Sequence, residues 1–211
     1  ELGLVDELGG LERALELAVA YAKEREAFGI NGSGHIVGQS QLSFSAPTYG
    51  ATRAFLWKNG TMSDLGTLGV SSGQSIAYGI NMPGQVVGMY TLQSGAQSEG
   101  TQRGCLWANG VMYDLSTLVA GSGWTILDAR AINDAGQIVG GSLTANGFVH
   151  AFLYMGAPGV DGRMIDLDAW LDANNPVEGA KWTLTNAYGL NKNGLITGVG
   201  DYNDGPDGEW D

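Results

Sequence analysis

The sequence predicts an all-β protein, a β-propeller-like array of four-stranded repeats, three complete and one partial, preceded by one short α-helix. Three observations carry this. A block reading Ala27-Phe-Gly-Ile-Asn31 returns as Ala77-Tyr-Gly-Ile-Asn81, Ala129-Arg-Ala-Ile-Asn133 and Ala187-Tyr-Gly-Leu-Asn191. The chain holds 35 glycines but only 15% charged residues, the composition of a turn-rich fold with 44% hydrophobic content available for a core. Within the blocks, Phe55 and Trp57 alternate with Ala54 and Leu56, the two-residue period of a pleated strand.

Residues 1–26 differ from the rest, with seven acidic and three basic side chains and only three glycines. Leu11, Leu15, Ala18 and Ala22 recur at three- and four-residue steps, which fits one apolar face of a helix. Glu12 stands in its first turn and Lys23 and Arg25 near its end, the placement the helix dipole favours. A helix over roughly residues 10–25 is expected, within a helical segment 1–26 that precedes a repeat domain spanning 27–211.

Repeats start near residues 27, 77, 129 and 187. Each opening block runs to a pair of glycines, Gly34 and Gly38 in the first copy and Gly84, Gly88, Gly136, Gly140, Gly194 and Gly198 in the others. This reads as a hairpin: a strand ending at the Asn, a four-residue turn such as Asn81-Met-Pro-Gly84, and a returning strand. A second hairpin follows in three copies, with first strands Arg53-Ala-Phe-Leu-Trp57, Arg103-Gly-Cys-Leu-Trp107 and His150-Ala-Phe-Leu-Tyr154. It turns on Asn59-Gly60 or Asn109-Gly110, the strongest short hairpin signal, and runs on to Met62-Ser-Asp-Leu65, Met112-Tyr-Asp-Leu115 or Met164-Ile-Asp-Leu167. The third copy carries a longer turn around Ala157-Pro-Gly-Val-Asp161. A β-solenoid is the alternative architecture, although its coils are usually shorter than these units.

A net charge of -12 disfavours nucleic acid and anionic lipid, and no apolar run is long enough to cross a membrane as a helix. The single cysteine, Cys105, stands where Phe55 and Phe152 stand in the other copies and reads as a small core residue. Asp64, Asp114 and Asp166 recur at one position, as do Asn31, Asn81, Asn133 and Asn191. Both sets read as turn-locking side chains rather than a ring of ligands. His35 and His150 read as ordinary half-exposed side chains. Trp57, Trp107 and Tyr154 share one position and Trp124 and Trp182 another; packing between units is expected of these rows, with stacking on sugars as the alternative. Asp201-Tyr-Asn-Asp-Gly-Pro-Asp-Gly-Glu209 approaches the spacing of a calcium loop but is one residue short. Gly32-x-Gly34-x-x-x-Gly38 lies between two strands and lacks the lysine of a phosphate loop. No catalytic residue, cofactor or metal is assigned.

The Gly-Ile-Asn-x-x-Gly-x-Val-Val-Gly block of residues 79–88, Asp64-Leu-Gly-Thr-Leu-Gly69 and the literal His150-Ala-Phe152 resemble the HAF family of extracellular repeats, over about residues 27–200. The resemblance implies an exported or cell-surface repeat protein of bacterial type, with a structural or binding role and a protein or carbohydrate ligand. It implies no catalysis. Gly3-Leu-Val-Asp-Glu-Leu-Gly-Gly10 resembles the late segment of the signal-peptide-peptidase family of serine proteases, without the part that carries its Ser and Lys. The alternative function is thus a protease fragment fused to repeats and lacking its dyad. Glu1 is no initiator Met and no signal peptide follows it, so any targeting signal is expected outside this stretch. An array that stops partway through its fourth unit leaves open repeat ends, and self-association through them is expected.

Overall fold

The structure, a computed structural model, describes residues 25–41, 52–69, 73–92, 102–119, 123–156 and 162–203. The expected helix therefore lies outside the described residues except for Arg25. That residue and Glu26 belong to a strand, so the helical segment does not extend to residue 26.

The described residues are mainly antiparallel β-sheet, arranged as consecutive meanders. Unit 1 pairs β1 (Arg25–Ile30), β2 (Ile36–Gln41), β3 (Thr52–Lys58) and β4 (Thr61–Asp64) in chain order. Unit 2 repeats the order with β5 (Ser75–Ile80), β6 (Val86–Thr91), β7 (Gln102–Ala108) and β8 (Val111–Asp114). Unit 3 departs from four strands. Its first strand is split into β9 (Thr125–Ile126) and β10 (Ala131–Ile132), both pairing with β11 (Ile138–Leu143), which continues into β12 (Val149–Met155) and β13 (Arg163–Asp166). Unit 4 is the single hairpin of β14 (Trp182–Leu190) and β15 (Ile196–Tyr202). Three short helices, α1 (Leu115–Leu118), α2 (Leu167–Asn174) and α3 (Pro176–Gly179), follow units 2 and 3 and were not expected from the repeat pattern.

The turn chemistry explains the strand boundaries. Asn59 and Asn109 have φ of 51° and 54°, and Gly60 and Gly110 have 79° and 78°, the doubly left-handed pair of a type I′ hairpin. After the fourth strand the recurrent Asp ends the sheet. Asp64 accepts from the Gly66 amide at 2.7 Å, whereas Asp114 and Asp166 cap α1 and α2.

The glycine of each second strand answers a spatial demand. A Cβ at Gly38, Gly88, Gly140 or Gly198 would collide with the backbone carbonyl of Glu26, Ile76, Asp128 or Asn186, which lies in the strand alongside or, for Asp128, in the break between β9 and β10. Only glycine lets the two strands approach this closely.

The core lies between units, because each sheet is apolar on both faces. Val37 and Ala54 of unit 1 cluster with Val86, Cys105 and Trp107 of unit 2. Val87 and Leu106, on the opposite face of unit 2, cluster with Ile138, Phe152 and Tyr154 of unit 3. Val139 and Ala151, on the far face of unit 3, cluster with Ala187 of unit 4. One pattern is used twice, a small or aliphatic face of one unit receiving the aromatic-bearing face of the next, whereas the buried residue that unit 4 supplies at the third interface is Ala187. Cys105 is fully buried in the first of these interfaces, as its place in the repeat suggested.

Candidate functional site

The repeated asparagines form a ladder that couples the units. Within a unit the Asn side chain closes its turn: Oδ1 of Asn133 accepts from the amides of Ala135 and Gln137, both at 3.1 Å. Its Nδ2 reaches the next unit. Asn31 donates to the carbonyl of Asn81 at 2.9 Å, Asn81 to that of Asn133 at 3.1 Å, and Asn133 to that of Asn191 at 3.1 Å. The turn role was legible in the sequence; the bond to the following unit was not.

The aspartates also have structural partners. Asp114 accepts from the Tyr90 hydroxyl at 3.0 Å as well as capping α1. Burial first, and then the Asp114 charge, push the Tyr90 phenol well above its ordinary range. Asp166 meets Nδ1 of His150 at 3.0 Å, and Asp168 lies 3.7 Å from Nε2 of the same ring. His150 is therefore not a half-exposed bystander: its side chain is 19% exposed and bridges two carboxylates. His35 stays partly exposed beside the Asn31 turn, with Nδ1 at 3.4 Å from the Asn31 amide.

Of the aromatic rows, Trp107 and Tyr154 are buried between units, and the Trp107 indole donates to the carbonyl of Leu65 in the preceding unit at 2.8 Å. Packing, not an open stacking platform, is their role. Trp124 and Trp182 stand at equivalent points of their units, one residue before the Thr125 and Thr183 pairs; Trp124 sits edge-on to His150, and Trp182 lies against Tyr202.

A different row reaches the surface at its two ends. The first strand carries a register shift at the same place in three units, between Ala27 and Gly29, Ala77 and Gly79, and Ala187 and Gly189. The extra residues are Phe28, Tyr78 and Tyr188. In unit 3, Arg130 takes the corresponding place, in the break between β9 and β10. A bulge re-aims the side chain it carries, and here the four bulged side chains meet. Phe28 and Tyr78 have ring centroids 5.8 Å apart, and the Arg130 guanidinium lies 4.3 Å from the Tyr78 ring and 5.6 Å from that of Tyr188. Arg130 is held by Asp128 at 2.7 Å. Burial opposes its charge, but the Asp128 carboxylate and its hydrogen bond, together with Tyr78 and Tyr188, keep its pKa above the usual value. Phe28 and Tyr188, at the two ends, are 46% and 48% exposed. The signal was present in the sequence as the variable second position of the Ala-x-Gly-Ile-Asn block.

Between units 3 and 4 lies an open groove of about 1060 Å³, lined by Leu153, Ile165, Leu167, Trp170, Trp182 and Gly198 among others. Among the described residues no group of three or more His, Cys, Asp or Glu is placed to hold a metal ion, and no helix is long and apolar enough to cross a membrane. Most of the calcium-like stretch, residues 204–209, lies outside the described residues; Asp201 and Tyr202 belong to β15. No family model, no curated protein and no solved structure matches the chain.

Proposed function

We propose that this chain is a propeller-like, HAF-type module of the cell surface or extracellular space, with a binding or structural role and no catalysis of its own. The observation that carries this reading is the row Phe28, Tyr78, Arg130 and Tyr188. A bulge costs ladder hydrogen bonds, and recurrence at one position brings side chains from four units onto one surface. Aromatic faces alternating with a guanidinium suit the ring faces of sugars or the aromatic and acidic side chains of a protein. The repeated Asn and Asp side chains, by contrast, are engaged in turns, caps and joints between units.

Two measurements on the protein and its host cells test this. Protease treatment of intact cells should remove the protein, and purified protein should sediment with isolated cell envelopes. A Phe28→Ala/Tyr188→Ala variant should lose most of that sedimentation while keeping its thermal midpoint, since both residues are about half exposed. Full protection in intact cells, or unchanged sedimentation of the variant, overturns the reading.

A further inference from the structure

The first three units each place a basic side chain at one register position. Arg53 of β3 stands opposite Ser40, Arg103 of β7 opposite Tyr90, and His150 of β12 opposite Ser142. A guanidinium keeps its charge under all ordinary conditions, whereas an imidazole gains and loses a proton near neutrality. At this position, then, unit 3 carries the one cation that a change of pH switches on and off.

His150 stands between two carboxylates that are fixed from behind. Oδ2 of Asp166 lies 3.0 Å from Nδ1, and Oδ2 of Asp168 lies 3.7 Å from Nε2. The other oxygen of each is already committed. Oδ1 of Asp166 accepts from the amides of Asp168 and Ala169 at the start of α2, at 3.0 and 3.1 Å. Oδ1 of Asp168 accepts from the Leu184 amide of β14 at 2.7 Å. Asp168 therefore stands between the third strand of unit 3 and the first strand of unit 4.

A neutral ring cannot serve both carboxylates, because it has one N–H and one lone pair. With the proton on Nδ1, the Nε2 lone pair faces Asp168; with the proton on Nε2, the Nδ1 lone pair meets Asp166. Only the imidazolium donates to both. The other titratable side chains on elements packed against β12 are placed elsewhere. Arg163 of β13 stands opposite Met155 at the far end of the strand, the Asp172 carboxylate of α2 lies beside Gly179, and Tyr188 of β14 lies against Arg130. Lys181, just before β14, pairs with Glu178, Asp128 holds Arg130, and β11 has no titratable side chain.

We propose that His150 is a proton-operated clasp between units 3 and 4. Uptake of a proton from solvent, which reaches the 19% exposed side chain, closes the Asp166–His150–Asp168 bridge. The closed bridge holds α2, and through Asp168 the Leu184 amide of β14, against β12. Release of the proton sets a lone pair against one carboxylate and loosens β14. The device works on the acid side of neutrality and draws on none of the bulged row, so it stands or falls separately from the proposed function.

The test is amide hydrogen exchange of the purified chain, read by NMR as the protection of Leu184 relative to Val87 of β6 in the same sample. Taking the ratio cancels the base catalysis common to both amides. From about pH 5.5 to about pH 7.5, the range in which an imidazole gives up its proton, the ratio should fall roughly fivefold, the worth of one hydrogen bond. His150→Arg, which restores the residue type of Arg53 and Arg103, should hold the ratio constant. Asp168→Asn should reverse the trend, because the amide nitrogen introduced there donates to the Nε2 lone pair of the neutral ring. An unchanged ratio in the unsubstituted chain overturns the proposal whatever the variants do, and so does an equal fall in His150→Arg.

Discussion

The side-chain amide of Asn81 donates to the backbone carbonyl of Asn133, 52 residues later, at 3.1 Å, while its own Oδ1 accepts from the Gln85 amide at 2.8 Å. One side chain thereby shapes its own turn and fastens its unit to the next.

Removing it should cost more than removing the same residue at the end of the row. Asn81 is 3% exposed, and Asn81→Ala leaves the Gln85 amide and the Asn133 carbonyl short of partners, a loss of ~2–3 kcal/mol on the usual scale for buried polar groups. Asn191 is exposed and has no described unit beyond it, so Asn191→Ala should cost less than about 1 kcal/mol. Urea unfolding of the two variants compares them; equal losses would mean that the bond between units contributes nothing.

Gly110 and Gly88 are glycines for opposite reasons, and substitution separates them. Gly110 has φ of 78° with open space where a Cβ would stand, so only backbone strain opposes a side chain. Gly110→Val should cost ~1–3 kcal/mol, and Gly110→Asn should recover most of it because Asn tolerates the left-handed region. At Gly88 the obstacle is the Ile76 carbonyl, so even Gly88→Ala should cost ~3 kcal/mol, at the upper end of overpacking losses. Thermal denaturation that ranks Gly88→Ala as milder than Gly110→Asn contradicts both assignments.

Alkali should weaken the interface between units 1 and 2. Burial and then the Asp114 charge raise the Cys105 thiol well above 9.0, and the Tyr90 phenol also stands above its ordinary value. For acids whose folded pKa is raised, the unfolded chain gives up its proton first. Stability is thus complete below the unfolded pKa and falls as pH climbs beyond it. Urea midpoints should therefore be flat to about pH 8.5, where an unfolded thiol begins to ionise, and decline above it. A Cys105→Ala/Tyr90→Phe variant should decline less steeply. In the native protein at pH 8, Cys105 should react with a thiol reagent only as fast as the chain opens, because the residue is fully buried. Immediate labelling would place it outside the core.

The hairpins, the Asn-Gly turns, the Asp at each strand end and the core role of Cys105 were legible because each is a local consequence of residue type and spacing. The split first strand of unit 3 was not: its Ala129-Arg-Ala-Ile block looks like the others, but Leu127 and Asp128 both donate to the Gly141 carbonyl, the Ala129 amide turns to the Gly88 carbonyl of unit 2, and the Asp128 side chain accepts from the Gly141 amide at 3.0 Å. The helices after Asp114 and Asp166 were missed because a repeat pattern does not register a departure between its blocks. His150 was misjudged because its partners, Asp166 and Asp168, come from the end of β13 and the start of α2, and a sheet register brings them together. The bulged row was hidden in plain view, since a variable position reads as unconstrained until the register shift beside it is seen.

The ladder of asparagines has a sense of travel. Every rung points the same way, an amide from the earlier unit reaching a carbonyl in the later one. The two ends of the row are therefore unlike: the Asn31 end offers an acceptor and the Asn191 end a donor. Joining two such rows preserves the bond only when the tail of one meets the head of the other; head-to-head or tail-to-tail contact sets like groups against each other. The joint is also self-copying at the level of the gene. A duplicated segment carries its acceptor and its donor together, so a tandem duplication in frame creates a new rung without any compensating change elsewhere, whereas an inverted arrangement creates none.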